Sequence, residues 1–167
     1  FRRVLFRSSD QTRVEALERL EKSSAAAVIV HINSPGGTTA GSEQLFDALM
    51  RLKAKKPMVV VVEGLAASGG YIAALASDQI IAQQTSLVGS IGVLFQIPNV
   101  SDLLKTVGVK VEEVKSSPLK AAPNGYEPTS PEARAALDAL VKDSYAWFRG
   151  LVKDRRNMDD ATLQTVA

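Results

Sequence analysis

Ser68 is the side chain whose neighbours best suit it to act as a nucleophile. It lies in Gly64-Leu65-Ala66-Ala67-Ser68-Gly69-Gly70, between an apolar run and a helical stretch that begins at Tyr71. A serine on a sharp strand-to-helix turn presents its hydroxyl above the end of a sheet, which is the logic of a nucleophile elbow. The flanking Ala66 and Gly70 depart from the usual Gly-x-Ser-x-Gly form. Peptide N–H groups at the start of the following helix would face the charge that develops on an attacked carbonyl. The same position also suits a plain helix cap, because serine is a favoured N-cap residue.

A serine hydroxyl needs a base. The one histidine, His31, lies inside an apolar run. A buried, hydrogen-bonded structural histidine fits that position better than a member of a Ser-His-Asp triad. A lysine or a carboxylate is left. An ordinary lysine has a pKa near 10.4, so only about one in 2,500 is neutral at pH 7. Desolvation can bring it down to about 7 to 8, at a cost of roughly 4 kcal/mol for three pH units. Lys115 and Lys120 are the candidates in an irregular loop, away from charged helical faces. Position alone does not choose between them.

Glycines mark the surroundings. Of 11 glycines, Gly36, Gly37, Gly64, Gly69, Gly70, Gly89 and Gly92 gather in three turns beside predicted strands. Open α/β sheets build sites where loops leave strand ends. Glycine there either permits a tight turn or lets a ligand approach the backbone.

The elements that must position these turns follow from periodicity. Ser9 or Asp10 can cap a helix carrying Val14, Leu17 and Leu20. Ala27 to Ile32 reads as a β-branched strand buried on both faces, and Met58 to Val62 as a second buried strand. Between them, Thr38 or Thr39 caps a helix with Leu45, Phe46, Leu49 and Leu52 facing inward. Gln79 to Ala82 is a third strand, and Gly89 to Val93 a further turn and strand. Ser101 can cap a helix through Val107, while Val109 to Val114 alternates as a half-exposed strand would. Pro118, Pro123, Gly125 and Pro128 break the next stretch into a loop. Ser130-Pro131-Glu132 opens the longest helix, to about Arg156, and Asp159 or Asp160 caps a short last one. Strands alternating with helices predict α/β architecture with a parallel sheet.

Composition excludes several classes. At 167 residues the chain is one domain by length, and 46% apolar residues suffice for a core. A net charge of +2 gives no footprint for nucleic acid. The absence of cysteine removes disulfides, thiolate metal sites and a cysteine nucleophile. A single histidine argues against a His-rich metal centre. No run approaches the roughly 18 apolar residues that span a bilayer. The N-terminus lacks a signal-peptide core. Phe1 to Ser8, with arginines and bulky apolar residues interleaved, reads as a segment foreign to the fold. Residues 9–167 read as one catalytic domain shortened at both ends.

Four motifs in order carry a resemblance. Asn33-Ser34-Pro35-Gly36-Gly37, Ala66-Ala67-Ser68-Gly69-Gly70-Tyr71, Gly89-Ser90-Ile91-Gly92-Val93 and Glu113-Val114-Lys115-Ser116-Ser117-Pro118-Leu119-Lys120 resemble the signal peptide peptidase A family of bacterial serine peptidases. That family shares the Clp protease/crotonase-like fold, a mostly parallel sheet with flanking helices. The resemblance covers residues 27 to 156. It implies Ser68 as nucleophile, Lys120 as general base and Ser90 as the residue that orients the lysine. The N–H groups of Gly37 and Gly69 would form the oxyanion hole, each donor worth roughly 3 kcal/mol. Ser117 and Ala121 depart from the glycine and aspartate usual in the family, which keeps Lys115 beside Lys120 as a rival.

The resemblance further implies peptide substrates (signal peptides left in the membrane), no metal or cofactor, and a homo-oligomer. Lysine and serine could then come from neighbouring subunits. Location would be the bacterial inner membrane, facing the periplasm, through an anchor outside this sequence. The family's first strand, and the strand and helix after the long helix, are not matched, so weak folding or assembly is expected. Two other functions compete. A crotonase-like acyl-CoA enzyme would use the glycine N–H pair without Ser68, and a silent assembly module would use neither.

Overall fold

The computed structural model describes residues 10–167. The expectation for Phe1 to Ser8, and Ser9 as a cap, lie outside the described residues. A parallel sheet forms the centre. Strand β1 (Val28–Ser34) runs parallel to β2 (Met58–Ala67), with His31 opposite Val61. On the other side of β2, β3 (Gln79–Ala82) pairs with Val59 to Val62, and β4 (Leu87–Gly89) pairs with Leu65 to Ala67. All three ladders are parallel, so each return of the chain needs a crossover. Helix α2 (Thr39–Lys53) makes the first return and α3 (Gly69–Leu75) the second, while α1 (Asp10–Glu21) precedes β1. The α/β class read from the alternation is the class found.

The core forms on one face of the sheet. Val28, Val30 and Ile32 alternate inward beside Met58, Val60 and Val62. They meet Phe46, Leu49 and Leu52 of α2, Leu17 and Leu20 of α1, and Phe148 and Val152 of α5 (Pro131–Arg156). Leu163 of α6 (Asp160–Val166) completes it. Each such side chain contributes about 1.5–3 kcal/mol on burial. The opposite face corrects the sequence reading. Ile29, His31, Val59 and Val61 are only half-buried, so β1 and β2 are not covered on both sides. A nearly continuous apolar run records a lack of polar residues, not a second covering layer.

Helix starts follow the caps. Thr38 Oγ1 accepts from Gly41 N at 3.2 Å, and Asp159 Oδ1 accepts from Thr162 N at 2.7 Å. Ser130 Oγ accepts from Ala133 N at 3.1 Å at the start of α5. Each cap is worth about 1 kcal/mol. Helix α4 (Ser101–Thr106) differs from expectation: Ser101 is its first residue and Val100 its cap, and Asn99 Oδ1 accepts from Ser101 N at 2.9 Å. Asparagine two residues upstream does the work assigned to serine.

Two predicted strands do not form. The strand beside the third glycine turn ends at Gly89 instead of starting there. Its ladder lies along the last residues of β2, and at Ser68 the chain turns into α3, so residues past Gly89 have no strand beside them. Val109 to Val114 joins no ladder among the described residues, and Val109, Val111 and Val114 are exposed. Alternation there encodes a two-faced segment without a pairing edge.

The chain divides into two compact units. One comprises the residues up to Gly92 with Tyr145–Ala167 and contains the sheet; the other is Val93–Ser144.

Candidate active site

Ser68 occupies the junction between β2 and α3 with φ 50° and ψ −118°. Its backbone is fully engaged. Ser68 N donates to Gly89 O at 2.9 Å, and Ser68 O accepts from Tyr71 N at 2.9 Å and Ile72 N at 3.0 Å. Its side chain makes no capping hydrogen bond. Ser68 is thus the N-cap of α3 by position, while its hydroxyl takes no part in capping. A positive φ at a non-glycine residue costs of order 1–3 kcal/mol and persists only where the surroundings fix it.

Those surroundings are glycines pressed against the neighbouring turn. A Cβ on Gly36, which has φ 119°, would lie 2.9 Å from Ser68 Cβ and 3.2 Å from both Ala67 O and Gly69 N. A Cβ on Gly70 would lie 2.9 Å from Ser34 O. One on Gly69 would run into Ser42 Oγ and sit 3.1 Å from Gly37 N. The Asn33–Gly37 turn and the Ala66–Tyr71 turn thus pack backbone on backbone. Gly37 itself has nothing within 4 Å of its Cβ position and faces open space. The two residues expected to supply an oxyanion hole, Gly37 and Gly69, are neighbours across this contact, with Gly37 N 3.1 Å from the Cβ position of Gly69.

Gly64 has a different task from the one its sequence position suggested. Ile32 pairs with Val62 and Ser34 with Ala66, so β2 carries extra residues at this point. Gly64, at φ 143°, lies within that bulge, which bends the strand before the nucleophile turn.

A cavity of about 440 Å³ adjoins the turns, lined among others by Ile32, Gly36, Ser42, Leu45 and Gly69. Its mixture of apolar side chains and exposed peptide groups suits one segment of an extended peptide. His31 also lines it and is half-buried rather than fully enclosed. His31 Nδ1 lies 2.7 Å from Glu63 Oε1 on the adjacent strand, a close approach without hydrogen-bond geometry. It is a structural pair, less buried than the sequence suggested, because this sheet face is only partly covered.

Ser90 directly follows the carbonyl that receives the Ser68 N–H; it is exposed and has φ 57°. The lysines belong to the second unit. Lys115 Nζ lies 2.5 Å from Glu113 Oε2 and 2.5 Å from Glu127 Oε1. Asn124 Nδ2 donates to Glu127 Oε1 at 3.1 Å and holds that carboxylate. The hydrogen bonds it donates to Glu113 first, then to Glu127, push the Lys115 ammonium above the ordinary lysine pKa. Lys115 is thus held as an ion pair with two carboxylates. Lys120 sits on a turn closed by its N–H donating to Ser117 O at 3.1 Å, is exposed, and makes no ion pair among the described residues.

Sequence reasoning missed the interlocking roles of Gly36, Gly70 and Ser42, and the carboxylates around Lys115. A serine four residues after a helix cap, on the inward face, was the available sign for Ser42. Glu113 and Glu127 are 14 residues apart in a loop, and no periodic pattern links them.

Comparison with known proteins places this geometry. The family model described as peptidase family S49 matches residues 50–167, and that described as Clp protease matches residues 7–87. A Methanocaldococcus jannaschii protein named as a protease is 35% identical over 87% of this chain and 47% of its own length. Protease 4 of Salmonella typhi is 34% identical over 84% of this chain and 23% of its length. An Enterococcus faecium protein named as signal peptide peptidase SppA is 31% identical over 90% of this chain and 44% of its length. The chain thus spans half or less of the length of these curated relatives. With the strand-helix serine, the facing glycine turn and the parallel sheet that carries both, the chain belongs to peptidase family S49.

Proposed function

We propose that this chain carries the catalytic centre of a serine endopeptidase that uses a Ser-Lys dyad. Neutral Lys120 takes the Ser68 proton as Ser68 Oγ bonds to the peptide carbonyl carbon, and the carbonyl oxygen becomes an oxyanion. The N–H groups of Gly37 and Gly69 bind that oxyanion, and Ser90 orients the lysine. Lys120 then returns the proton to the leaving amine, the C–N bond breaks, and water releases the acyl group by the reverse path. The observation that carries the reading is Ser68 itself, strained at positive φ, excused from capping, and pressed against Gly36 of the facing turn. Lys115, locked between two carboxylates, supports Lys120 as the base.

The substrates are extended apolar peptides, specifically signal-peptide remnants, and the work is done at the bacterial inner membrane on its periplasmic side. The name of the Enterococcus faecium relative, a signal peptide peptidase, supports the substrate class; among the described residues no helix is long and apolar enough to cross a membrane. The protein acts as a homo-oligomer. Lys120 is exposed in the single chain, and a neutral amine requires shielding from water. A neighbouring copy supplies that shielding. Exposed Leu94, Phe95, Val109, Val111 and Val114 of the second unit support self-association.

The test is peptide hydrolysis by Ser68→Ala, Lys120→Ala and Lys115→Ala, with fluorophosphonate labelling of the unsubstituted chain. Loss in the first two and retention in the third is expected. A crotonase-like enzyme or a silent module would show no Ser68-dependent labelling, and that outcome refutes the peptidase reading.

A further inference from the structure

Ser42 lies on the first turn of α2 and is 7% exposed. Two of its groups hold one atom: Ser42 N donates to Thr38 O at 3.0 Å, and Ser42 Oγ donates to the same oxygen at 2.8 Å. That fixes the Thr38–Thr39 peptide, which opens α2 directly after the Asn33–Gly37 turn. On its other side the serine meets the nucleophile turn. A Cβ on Gly69 would strike Ser42 Oγ, lie 3.2 Å from Ser42 Cβ and lie 3.1 Å from Gly37 N. Ser42, Gly37 N and the Cα of Gly69 therefore share one junction.

A helix-facing serine that only filled space could be any small residue. This one instead joins the two turns that carry Gly37 and Gly69. We propose that Ser42 is a positioning residue that sets the spacing and direction of the Gly37 and Gly69 N–H donors. The inference rests on the peptidase reading, in which those donors bind the oxyanion. Its hydroxyl anchors the Thr38 carbonyl on one side, and its side chain is the spacer against Gly69 on the other. Without the hydroxyl, Thr38 O keeps only its bond from Ser42 N, the start of α2 is held less firmly against Gly69, and the spacing of the two donors loosens. Ser42 touches no substrate; it acts through the peptide groups it holds.

The effect belongs in the transition state. A donor that binds only the developing oxyanion changes kcat and leaves ground-state binding alone. Complete loss of one such donor costs roughly 100- to 1,000-fold in kcat, and misplacement by about 1 Å costs on the order of 100-fold. Ser42→Ala keeps the backbone bond to Thr38, so a fall of about 10- to 100-fold in kcat is expected with KM within about threefold. A peptide aldehyde, whose adduct with serine carries the tetrahedral oxygen, should lose affinity by a similar factor. A residue with a merely structural role would lower the melting temperature and leave the remaining folded enzyme with normal kcat and aldehyde affinity.

The experiment measures kcat, KM and aldehyde inhibition on the full chain for wild type, Ser42→Ala and Ser42→Thr. The threonine keeps a hydroxyl that reaches the carbonyl four residues back and should recover most of the lost kcat. Ser42→Cys keeps the size of the side chain and replaces the hydroxyl by a weak donor, so it carries the same test should Ser42→Ala fail to fold. A kcat within about threefold of wild type in the folded alanine or cysteine variant overturns the proposal. A wild-type chain without Ser68-dependent labelling overturns the peptidase reading beneath it, a result separate from either of these.

Discussion

Replacing Gly36 by alanine should cripple the site, whereas the same change one residue later should not. The contrast is set by the space around each Cα. A methyl on Gly36 would lie 2.9 Å from Ser68 Cβ, where carbon atoms ordinarily rest about 3.5–4.0 Å apart. Relief of such overpacking costs roughly 1–3 kcal/mol. The backbone adds its own term, because φ 119° at Gly36 is a conformation that side chains resist, at about 1–3 kcal/mol. Together these come to roughly 2–6 kcal/mol, against a net stability of about 5–15 kcal/mol for a domain. At about 2–4 °C per kcal/mol for a chain of this size, the melting temperature should fall by roughly 4–24 °C. The contact that must give way is Ser68 itself, so the nucleophile moves as well. Fluorophosphonate labelling of the folded fraction should slow by about tenfold or more. Gly37 has no atom within 4 Å of its Cβ position, and alanine retains the N–H. Its variant should melt within about 2 °C of wild type. Thermal unfolding followed by circular dichroism, with labelling rates measured below the transition, decides the matter. Equal melting temperatures and equal labelling for the two variants would refute the claim that the two turns interlock through Gly36.

Other expectations follow from single contacts. Lys120→Arg keeps the positive charge but cannot give up a proton, so peptide turnover should vanish; turnover within about tenfold of wild type would remove Lys120 from the base role. Asp78 accepts from Met58 N and pairs with Lys53, both at 3.0 Å, and these hold its carboxyl below the ordinary aspartate pKa. Its stabilising effect is therefore full above a pH of about 4 and fades as pH falls through the depressed value. In Asp78→Asn the drop in melting temperature between pH 5 and pH 2 should be shallower than in wild type, and an unchanged slope would contradict the contact. Phe148 is 1% exposed in the core, so Phe148→Ala should cost about 3–5 kcal/mol in urea unfolding, and a loss below 1 kcal/mol would exclude Phe148 from the core.

Much of the fold was legible because strands and helices here follow local rules. Thr38, Ser130 and Asp159 cap where their type and position suggested. Ser68 was legible as a turn residue, but its positive φ and uncommitted hydroxyl were not, because backbone φ is a tertiary outcome that one residue's neighbours do not set. Lys115 and Lys120 looked alike for a similar reason. What separates them is Glu127, distant in the chain and close in space. Val109 to Val114 misled because alternation records which sides of a segment differ, whereas a strand also needs a neighbour. The half-covered face of β1 and β2 misled in reverse: apolar composition says what a surface tolerates, not what lies on it.

The end of the chain completes what its middle begins. Arg155 donates from Nε to Leu75 O at 2.8 Å and from Nη2 to Ser77 O at 3.1 Å, satisfying carbonyls where α3 stops. Phe148, Val152 and Leu163 close the same core. Helix α3 is thus braced by a side chain 80 residues further along the chain. A backbone cut anywhere between the two should therefore loosen the helix that follows Ser68, although it removes none of that helix's own residues.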